Sequence, residues 1–210
     1  MIIAVDGPTA SGKGTVAKNL AEHYGLKRLD TGSLYRAVGL AVLDARGDPS
    51  DADAAVAAAE ALDLGAIDED RIRSSAAGLA ASKVAVIPEV RAVLRRAQQV
   101  FANDPQGAVL DGRDIGTVIC PNADVKLFVT ASLEARTQRR LAELRARGEQ
   151  ISFEELQAQI AERDQRDMSR KDSPLYQAAD AHLLDTTALS IEAAATAAYA
   201  IVDAVMARRG

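Results

Sequence analysis

The sequence contains little cysteine and few aromatic residues, and both shortages narrow its possible functions. A single cysteine, Cys120, in 210 residues excludes an internal disulfide and agrees with a reducing compartment, so we expect a cytoplasmic protein. Tryptophan is absent and aromatic residues make up 3% of the chain, which disfavours a surface that stacks nucleic-acid bases. The net charge of −5 provides no general attraction to nucleic acid or to an anionic membrane.

Long hydrophobic runs are also lacking. The first apolar run is interrupted by Asp6 and has no basic segment before it, so it does not resemble a signal peptide. The alanine-rich segment at residues 190–209 contains Glu192 and Asp203, which disfavours a membrane span. We therefore expect a monomer whose partners are small molecules, with no nucleic acid and no membrane among them.

The strongest motif present is a glycine-rich segment directly after the apolar run at residues 2–5. Gly7, Gly12 and Lys13 have the GxxxxGK spacing of a P-loop, in which backbone N–H groups and a lysine surround a polyphosphate. An amphipathic segment at 15–24 follows, so the phosphates would lie at a helix N-terminus. A chance glycine- and serine-rich turn would not bring this strand and helix with it. The predicted ATP-binding residues are Gly7, Pro8, Thr9, Ala10, Ser11, Gly12, Lys13, Gly14 and Thr15.

Two residues are candidates for holding Mg²⁺. The P-loop pattern places Ser or Thr directly after the lysine, but here Gly14 takes that position and Thr15 follows it. Asp111 ends an apolar strand downstream of the P-loop, which is where the Walker-B carboxylate is usually presented. We predict that Thr15 and Asp111 contact Mg²⁺ through water.

Apolar segments alternate with helical patterns along the whole chain. Short strands are predicted at 2–5, 26–30, 108–110, 125–129 and 182–185, with helices between them. This alternation predicts an α/β fold with a five-stranded parallel sheet covered by helices on both faces. Ligands bind at the carboxyl edge of such sheets, and Asp6, Asp30 and Asp111 all lie at strand ends.

Two serine-acid pairs predict helix starts, and one segment lacks a pattern. Ser50 with Asp53 and Ser152 with Glu155 match the capping box. Residues 63–75 show no sustained period and are interpreted as a small excursion from the sheet.

A third feature is a set of paired arginine and acidic residues. Arg163, Asp167 and Arg170 are spaced four and three apart, so we expect them on one face of the helix that begins at Ser152. One interpretation is a solvated face of weak ion pairs. The other is a clamp for phosphates, because the planar fork of arginine binds phosphate oxygens in pairs.

Six segments together resemble the bacterial cytidylate kinases, which are nucleoside monophosphate kinases. The resemblance extends over nearly the whole chain, and LDTGSLYR and DGRDIGTV are its most specific parts. The segments are GPTASGKGT at 7–15, LDTGSLYR at 29–36, AASKVA at 80–85, DGRDIGTVICP at 111–121, ERDQRDMSR at 162–170 and LLDTT from 183.

The resemblance implies transfer of the γ-phosphoryl group of ATP to CMP, and also to dCMP, with Mg²⁺ present. It implies catalytic roles for Lys13, Arg113 and Arg170. The alternatives are a P-loop kinase for UMP, AMP or a small hydroxy acid, and a nucleotide-binding module without turnover. The implied CMP contacts are Ser82, Arg91 and Asp114 to cytosine, Arg36, Arg113 and Arg170 to phosphate, and Arg163 and Asp167 to ribose, with Thr31 beside them.

The resemblance also implies one P-loop kinase domain over residues 1–210. Its core comprises about 1–62, 83–143 and 174–210. A small monophosphate-binding insertion is expected at about 63–82, shorter than is common in the family. A helical lid is expected at about 144–169, where it would exclude water during phosphoryl transfer.

Overall fold

The apolar residues at the start of the chain form the central strand of one sheet. In the computed structural model, which describes residues 1–208, the strands follow the order β2-β3-β1-β4-β5. Arg209 and Gly210, which the predicted domain bounds include, lie outside the described residues. The strands are β1 (Ile2–Asp6), β2 (Lys27–Asp30), β3 (Ala108–Gly112), β4 (Val125–Thr130) and β5 (His182–Asp185).

Eight α-helices connect and flank these strands in the described residues. Three shorter turns add to them: 3-10 helices at Leu64–Ala66 and Arg71–Arg73, and a π-helical turn at Ile115–Ile119. The α-helices are α1 (Lys13–Tyr24), α2 (Thr31–Asp44), α3 (Ala52–Glu60), α4 (Ser75–Val84), α5 (Pro88–Ala102), α6 (Leu133–Ala146), α7 (Phe153–Ser169) and α8 (Ile191–Ala207).

The sheet is parallel, and its three central strands β1, β3 and β4 are buried on both faces, as the apolar strands predict. β1 pairs in parallel with β3 and β4, and β4 with β5. Ile3 and Val5 point to one face and Ala4 to the other, and all three are fully buried. On the Ile3 side, apolar residues of α1 and α8 such as Leu20 and Val202 complete the core. The predicted α/β fold with a five-stranded sheet is confirmed.

The chain forms two compact units. The sheet unit comprises residues 1–28 and the described residues from 102 onward. The helical unit comprises Leu29–Phe101 and contains the residues predicted as the insertion. In the helical unit, Leu34, Val38, Val90 and Leu94 form the centre of an apolar cluster.

The structure corrects one of the two predicted capping boxes. α3 is capped by Asp51, whose carboxylate accepts the N–H groups of Asp53 and Ala54, and not by Ser50. The prediction failed because Asp51, one residue closer to the helix, accepts the same kind of bond more strongly as an anion. The second box is confirmed at its start, since the Ser152 hydroxyl accepts the N–H of Glu155 at 3.1 Å.

The segment without a pattern consists of short turns rather than a longer helix or strand. Asp63 accepts the N–H of Gly65, and Asp68 accepts the N–H of Asp70. These carboxylate turns begin the two 3-10 helices. Elsewhere, no helix within residues 1–208 has the length and apolar character needed to cross a bilayer.

Candidate active site

The predicted P-loop connects β1 to α1 at the carboxyl edge of the sheet. Gly12 is the N-cap residue of α1 and has a φ of 86°, a left-handed conformation that glycine adopts without a steric penalty. It has no side chain, and within the described residues no side-chain hydrogen bond caps the N-terminus of α1, the end of a helix that favours an anion. Lys13 is the first residue of α1. The loop therefore has the donors that a polyphosphate requires.

A buried threonine far along the chain fixes the middle of this loop. The Thr186 hydroxyl, in a residue only 2% exposed, lies 2.8 Å from the carbonyl oxygen of Ser11. Arg139 of α6 donates to both the hydroxyl and the carbonyl oxygen of Thr186, at 2.9 and 2.6 Å. Neither Thr186 nor Arg139 was predicted as a site residue. The repeated arginines of α6 were visible in the sequence, but the partner of each was not.

A buried ion pair connects α6 and α7 to the P-loop. Arg136 donates to Asp164 at 2.5 Å and to the carbonyl oxygen of Thr9 at 3.2 Å. Both charged residues are 7% exposed. The helix pair also has its own apolar cluster, which includes Leu144 and Ile160. The predicted lid at 144–169 thus begins within α6, which continues without a break to Ala146.

Arg113 links the P-loop to the acidic residue of the predicted clamp. Its Nη2 donates to the Thr9 hydroxyl at 2.7 Å, and its Nε donates to Asp167 at 2.8 Å. Burial by itself would raise the pKa of Asp167, but the guanidinium groups of Arg113, Arg163 and Arg170 outweigh it and lower that pKa. Asp167 is therefore a buried anion among three cations.

Arg170 does not lie on the helix face that the spacing predicted. α7 ends at Ser169, and Arg170 has an extended conformation with a ψ of 138°. Its guanidinium nevertheless stays 4.0 Å from Asp167 and donates to the carbonyl oxygen of Ser173. Asp167 and Arg170 are close together as expected, but α7 ends one residue before Arg170. The arginine set is partly buried and not a solvated face, since the side chain of Arg170 is 7% exposed.

The loop after β3 carries Asp114 and is attached to the end of β1. Asp114 is 6% exposed and precedes the turn Ile115–Ile119. The two carboxylate oxygens of Asp6 accept the N–H groups of Ile115 and Gly116, each at 2.8 Å. Burial, the largest effect, raises the pKa of Asp6 to about 7, although the two backbone hydrogen bonds oppose this. No role was predicted for Asp6 beyond its position at a strand end.

This raised pKa predicts a pH-dependent contribution to stability. Asp6 binds its proton more tightly in the folded protein than in the unfolded chain, where its pKa is 3.8. Its contribution is therefore complete below the unfolded pKa and is lost as the pH rises through about 7. We therefore compare the unfolding free energies of the wild type and of Asp6→Asn between pH 3.8 and about 7. The wild-type value minus the Asp6→Asn value is expected to fall by up to about 1.4 kcal/mol for each pH unit.

Urea unfolding of both proteins across that window measures the difference. The carboxylates with lowered pKa values, such as Asp167, are common to both proteins and cancel. A difference that stays flat or rises with pH contradicts the expectation.

Asp111, the predicted Walker-B residue, forms an ion pair. Arg28 of β2 donates to its Oδ2 from Nε at 3.2 Å and from Nη2 at 2.9 Å, and the Asp111 side chain is 2% exposed. The pair lies against the first turn of α1, because a Cβ on Gly14 would be 3.4 Å from Arg28 Nη2 and 3.7 Å from Asp111 Oδ1. Thr15 is exposed. Arg28 was not predicted, and its position in the half-exposed edge strand β2 gave no signal for this pair.

Four predicted CMP contacts belong to the helical unit. Thr31 begins α2 and is 4% exposed, and Arg36, also in α2, donates to the carbonyl oxygen of Ile72 at 3.5 Å. The Ser82 hydroxyl donates within α4 to the carbonyl oxygen of Gly78. Arg91 of α5 is 2% exposed, and its guanidinium carbon is 5.8 Å from the centre of the Tyr35 ring. α2, α4 and α5 thus position these residues.

The strand, glycine loop and helix at the edge of a parallel sheet define a protein of the P-loop class. A protein-family model described as cytidylate kinase matches residues 3–204. The chain belongs to the cytidylate kinase family.

Curated relatives agree with this assignment, and a solved structure has the same fold. A cytidylate kinase from Mesorhizobium japonicum is 55% identical over 207 residues, which are 99% of this chain and 96% of that protein. A cytidylate kinase from Methylocella silvestris is 57% identical over 203 residues, covering 97% of this chain and 94% of its own. An uncharacterized protein from Eubacterium ventriosum has 16% identity and a TM-score of 0.58 over 98% of both chains, and shows the fold alone.

Proposed function

We propose that this protein transfers the γ-phosphoryl group of ATP to CMP, and also to dCMP, giving CDP or dCDP and ADP. Its relatives at about 55% identity are named cytidylate kinases, and the family model matches nearly the whole chain. The observation that carries the proposal is the position of Arg113. This residue contacts both Thr9 of the P-loop and Asp167 of the arginine set. One side chain therefore links the proposed ATP-binding loop to the proposed CMP-binding residues.

The reaction requires positioning and charge neutralisation more than proton transfer. The attacking group is an oxygen of the CMP phosphate, which is already anionic, so no general base is required. Lys13 at the start of α1 is proposed to contact the phosphates of ATP. Arg113 and Arg170 are proposed to neutralise the negative charge on the transferred group and on the CMP phosphate.

The residues near Asp111 fit a magnesium ion that is held mainly by phosphates and water. The carboxylate is ionic and lies at the first turn of α1, but Arg28 occupies its Oδ2. Within the described residues, no cluster of three or more acidic, histidine or cysteine side chains could enclose a metal. Mg²⁺ bound with ATP would supply neutralisation of the phosphate charge, with Asp111 and Thr15 proposed to contact its water ligands.

Recognition of cytosine is proposed to depend on Asp114, Arg91 and Ser82. Cytosine presents an exocyclic amine next to a ring nitrogen and a carbonyl oxygen. A carboxylate accepts a hydrogen bond from the amine, and an arginine donates to the acceptors. Uracil would place a carbonyl oxygen against the same carboxylate, which leaves buried polar groups mismatched. Arg36 is proposed to bind the CMP phosphate, and Arg163, Asp167 and Thr31 to lie at the ribose.

We further propose a closing lid, a cytoplasmic location and a monomeric state. Residues 144–169 would exclude water before transfer and so limit hydrolysis of ATP. Arg136 and Asp164 would provide the anchor of this segment at the P-loop. Light scattering after size-exclusion chromatography tests the monomer.

The decisive experiment is single-turnover transfer of labelled phosphate from ATP to CMP, followed by a panel of acceptors. We expect CMP to give the highest kcat/KM, with dCMP also accepted and UMP and AMP poor. No transfer to any acceptor would leave a nucleotide-binding module. A higher kcat/KM for UMP, AMP or a small hydroxy acid would make the protein a kinase for that acceptor.

Replacing Asp114 with Ala is expected to reduce discrimination between CMP and UMP. Loss of the amine acceptor should lower the ratio of the two kcat/KM values by roughly 10- to 100-fold. The KM for ATP should change little, because Asp114 is proposed to contact the acceptor base. Steady-state kinetics with each substrate varied in turn check this. Equal losses for CMP and ATP would count against the role of Asp114.

A further inference from the structure

Asp6 is a buried acidic group that lies outside the proposed substrate and magnesium contacts. It is 5% exposed, and each of its carboxylate oxygens accepts one backbone N–H. The two donors, Ile115 and Gly116, directly follow Arg113 and Asp114 in the chain. Asp6 is therefore hydrogen-bonded to the loop that carries two proposed substrate contacts. In the sequence, Asp6 and Ile115 are 109 residues apart.

A buried lysine, Lys126, also packs close to this turn. A Cβ on Gly116 would lie 3.0 Å from Cδ of Lys126 and 3.4 Å from Oδ2 of Asp6. Lys126 is 7% exposed and has its ammonium group on Asp180 at 2.8 Å. A Cβ at Gly116 would therefore be in tight contact with the stem of Lys126 and near the carboxylate of Asp6, so a larger residue there requires a neighbour to shift.

The carboxylate also lies in the field of the residues that it supports. The charge of Asp114 raises the pKa of Asp6, and the charge of Arg113 lowers it. Burial raises the pKa of the Cys120 thiol, and the charge of Asp6 raises it further. Arg113 is fixed independently by its bonds to Thr9 and Asp167. Asp114 belongs to the same turn, because its carbonyl oxygen accepts the N–H groups of Val118 and Ile119 and the next two residues donate to Asp6.

We propose that Asp6 is a positioning residue for recognition of the acceptor base. By accepting the N–H groups of Ile115 and Gly116, it fixes the backbone from which the Asp114 carboxylate reaches the base. Asp6 is assigned no contact with the substrate, since it is 5% exposed and its carboxylate faces the loop N–H groups. This proposal rests on the proposed function, because it assigns a consequence to the placement of Asp114.

The test is Asp6→Asn, compared with Asp124→Asn as a matched control. Asp124 also accepts a backbone N–H on β1, that of Ile2 at 2.7 Å, but at the opposite end of the strand. The asparagine at position 6 keeps the shape but offers an amide donor to one of the two loop N–H groups. We expect Asp6→Asn to raise the KM for CMP and to lower the CMP-to-UMP ratio of kcat/KM by about tenfold, because small misplacements of recognition groups are costly.

The KM for ATP should change less than twofold in Asp6→Asn, and Asp124→Asn should keep the wild-type selectivity. A folded Asp6→Asn protein with unchanged selectivity would overturn the proposal, as would equal losses for CMP and ATP. If Asp6→Asn does not fold, Gly116→Ala takes its place. The added methyl group displaces the turn while the carboxylate stays, and the same loss of selectivity is expected, with unchanged selectivity again overturning the proposal.

Dissociation constants for CMP and UMP, measured by calorimetry on the same variants, separate this proposal from the proposed function. A wild-type protein that binds CMP without transferring phosphate would contradict the kinase assignment, while the variants would still report on positioning. A wild-type protein that binds neither nucleotide would overturn both.

Discussion

Replacing Lys13 with Met is expected to lower kcat by on the order of 10³-fold, the loss typical when a preorganised cation is removed from a phosphoryl-transfer site. Lys13 is the first residue of α1, directly after the uncapped turn at Gly12. The methionine keeps much of the length of the side chain but removes its charge. Single-turnover kinetics at saturating ATP and CMP measure the effect.

Lys18→Met provides the matched control for this prediction. Lys18 is on the same helix, its side chain is 65% exposed, and it forms an exposed i,i+4 pair with Glu22 at 3.7 Å. We expect Lys18→Met to keep the wild-type rate. Retention of more than a tenth of the activity in Lys13→Met would contradict the proposed role of Lys13.

Replacing Asp164 with Ala is expected to destabilise the protein by about 3–5 kcal/mol, the usual cost of removing one partner of a buried ion pair. Arg136 would then be a buried cation without its main counter-charge, held only by carbonyl groups such as that of Thr9. Urea unfolding at neutral pH gives the change in unfolding free energy.

A second variant distinguishes lost charge compensation from lost packing. Replacing Arg136 and Asp164 together with Met and Leu should recover much of the lost stability, because no unpaired charge is left buried. Glu162→Ala, which removes an exposed pair with Arg166 at 3.7 Å on the same helix, should cost less than about 1 kcal/mol. If Asp164→Ala is no more destabilising than Glu162→Ala, the pair does not hold α7 to the P-loop.

Most secondary structure could be predicted because its signals are local. The apolar strand at 2–5, the glycine loop and the helix after it depend on neighbouring residues, and the structure places all three as expected. The errors also have local causes. Asp51 replaced Ser50 as the cap of α3 because two acceptors compete at adjacent positions. Arg170 does not lie on the predicted helix face because α7 ends one residue before it.

Candidate site residues were predictable where a motif specified them. The P-loop and the segment DGRDIGT carry enough information to predict a phosphate site and an acceptor site. The P-loop pattern also showed that Gly14 stands where a serine or threonine is usual. In the structure, the ion pair of Arg28 and Asp111 lies beside Gly14. Residues that act by supporting others, such as Asp6, Arg136 and Thr186, belong to no such motif.

The sequence by itself determined the class of fold, the nucleotide loop and the family, because these depend on periodicity and on motifs of a few adjacent residues. Only the tertiary structure decided the partners of the charged groups. Asp6 with Gly116, Arg28 with Asp111 and Arg136 with Asp164 are separated by 110, 83 and 28 residues. In the sequence, every carboxylate is an equal candidate for every arginine or backbone N–H. The strand order and the packing of α6 on α7 decide which of these groups pair, because each buried charge lies within reach of only a few partners.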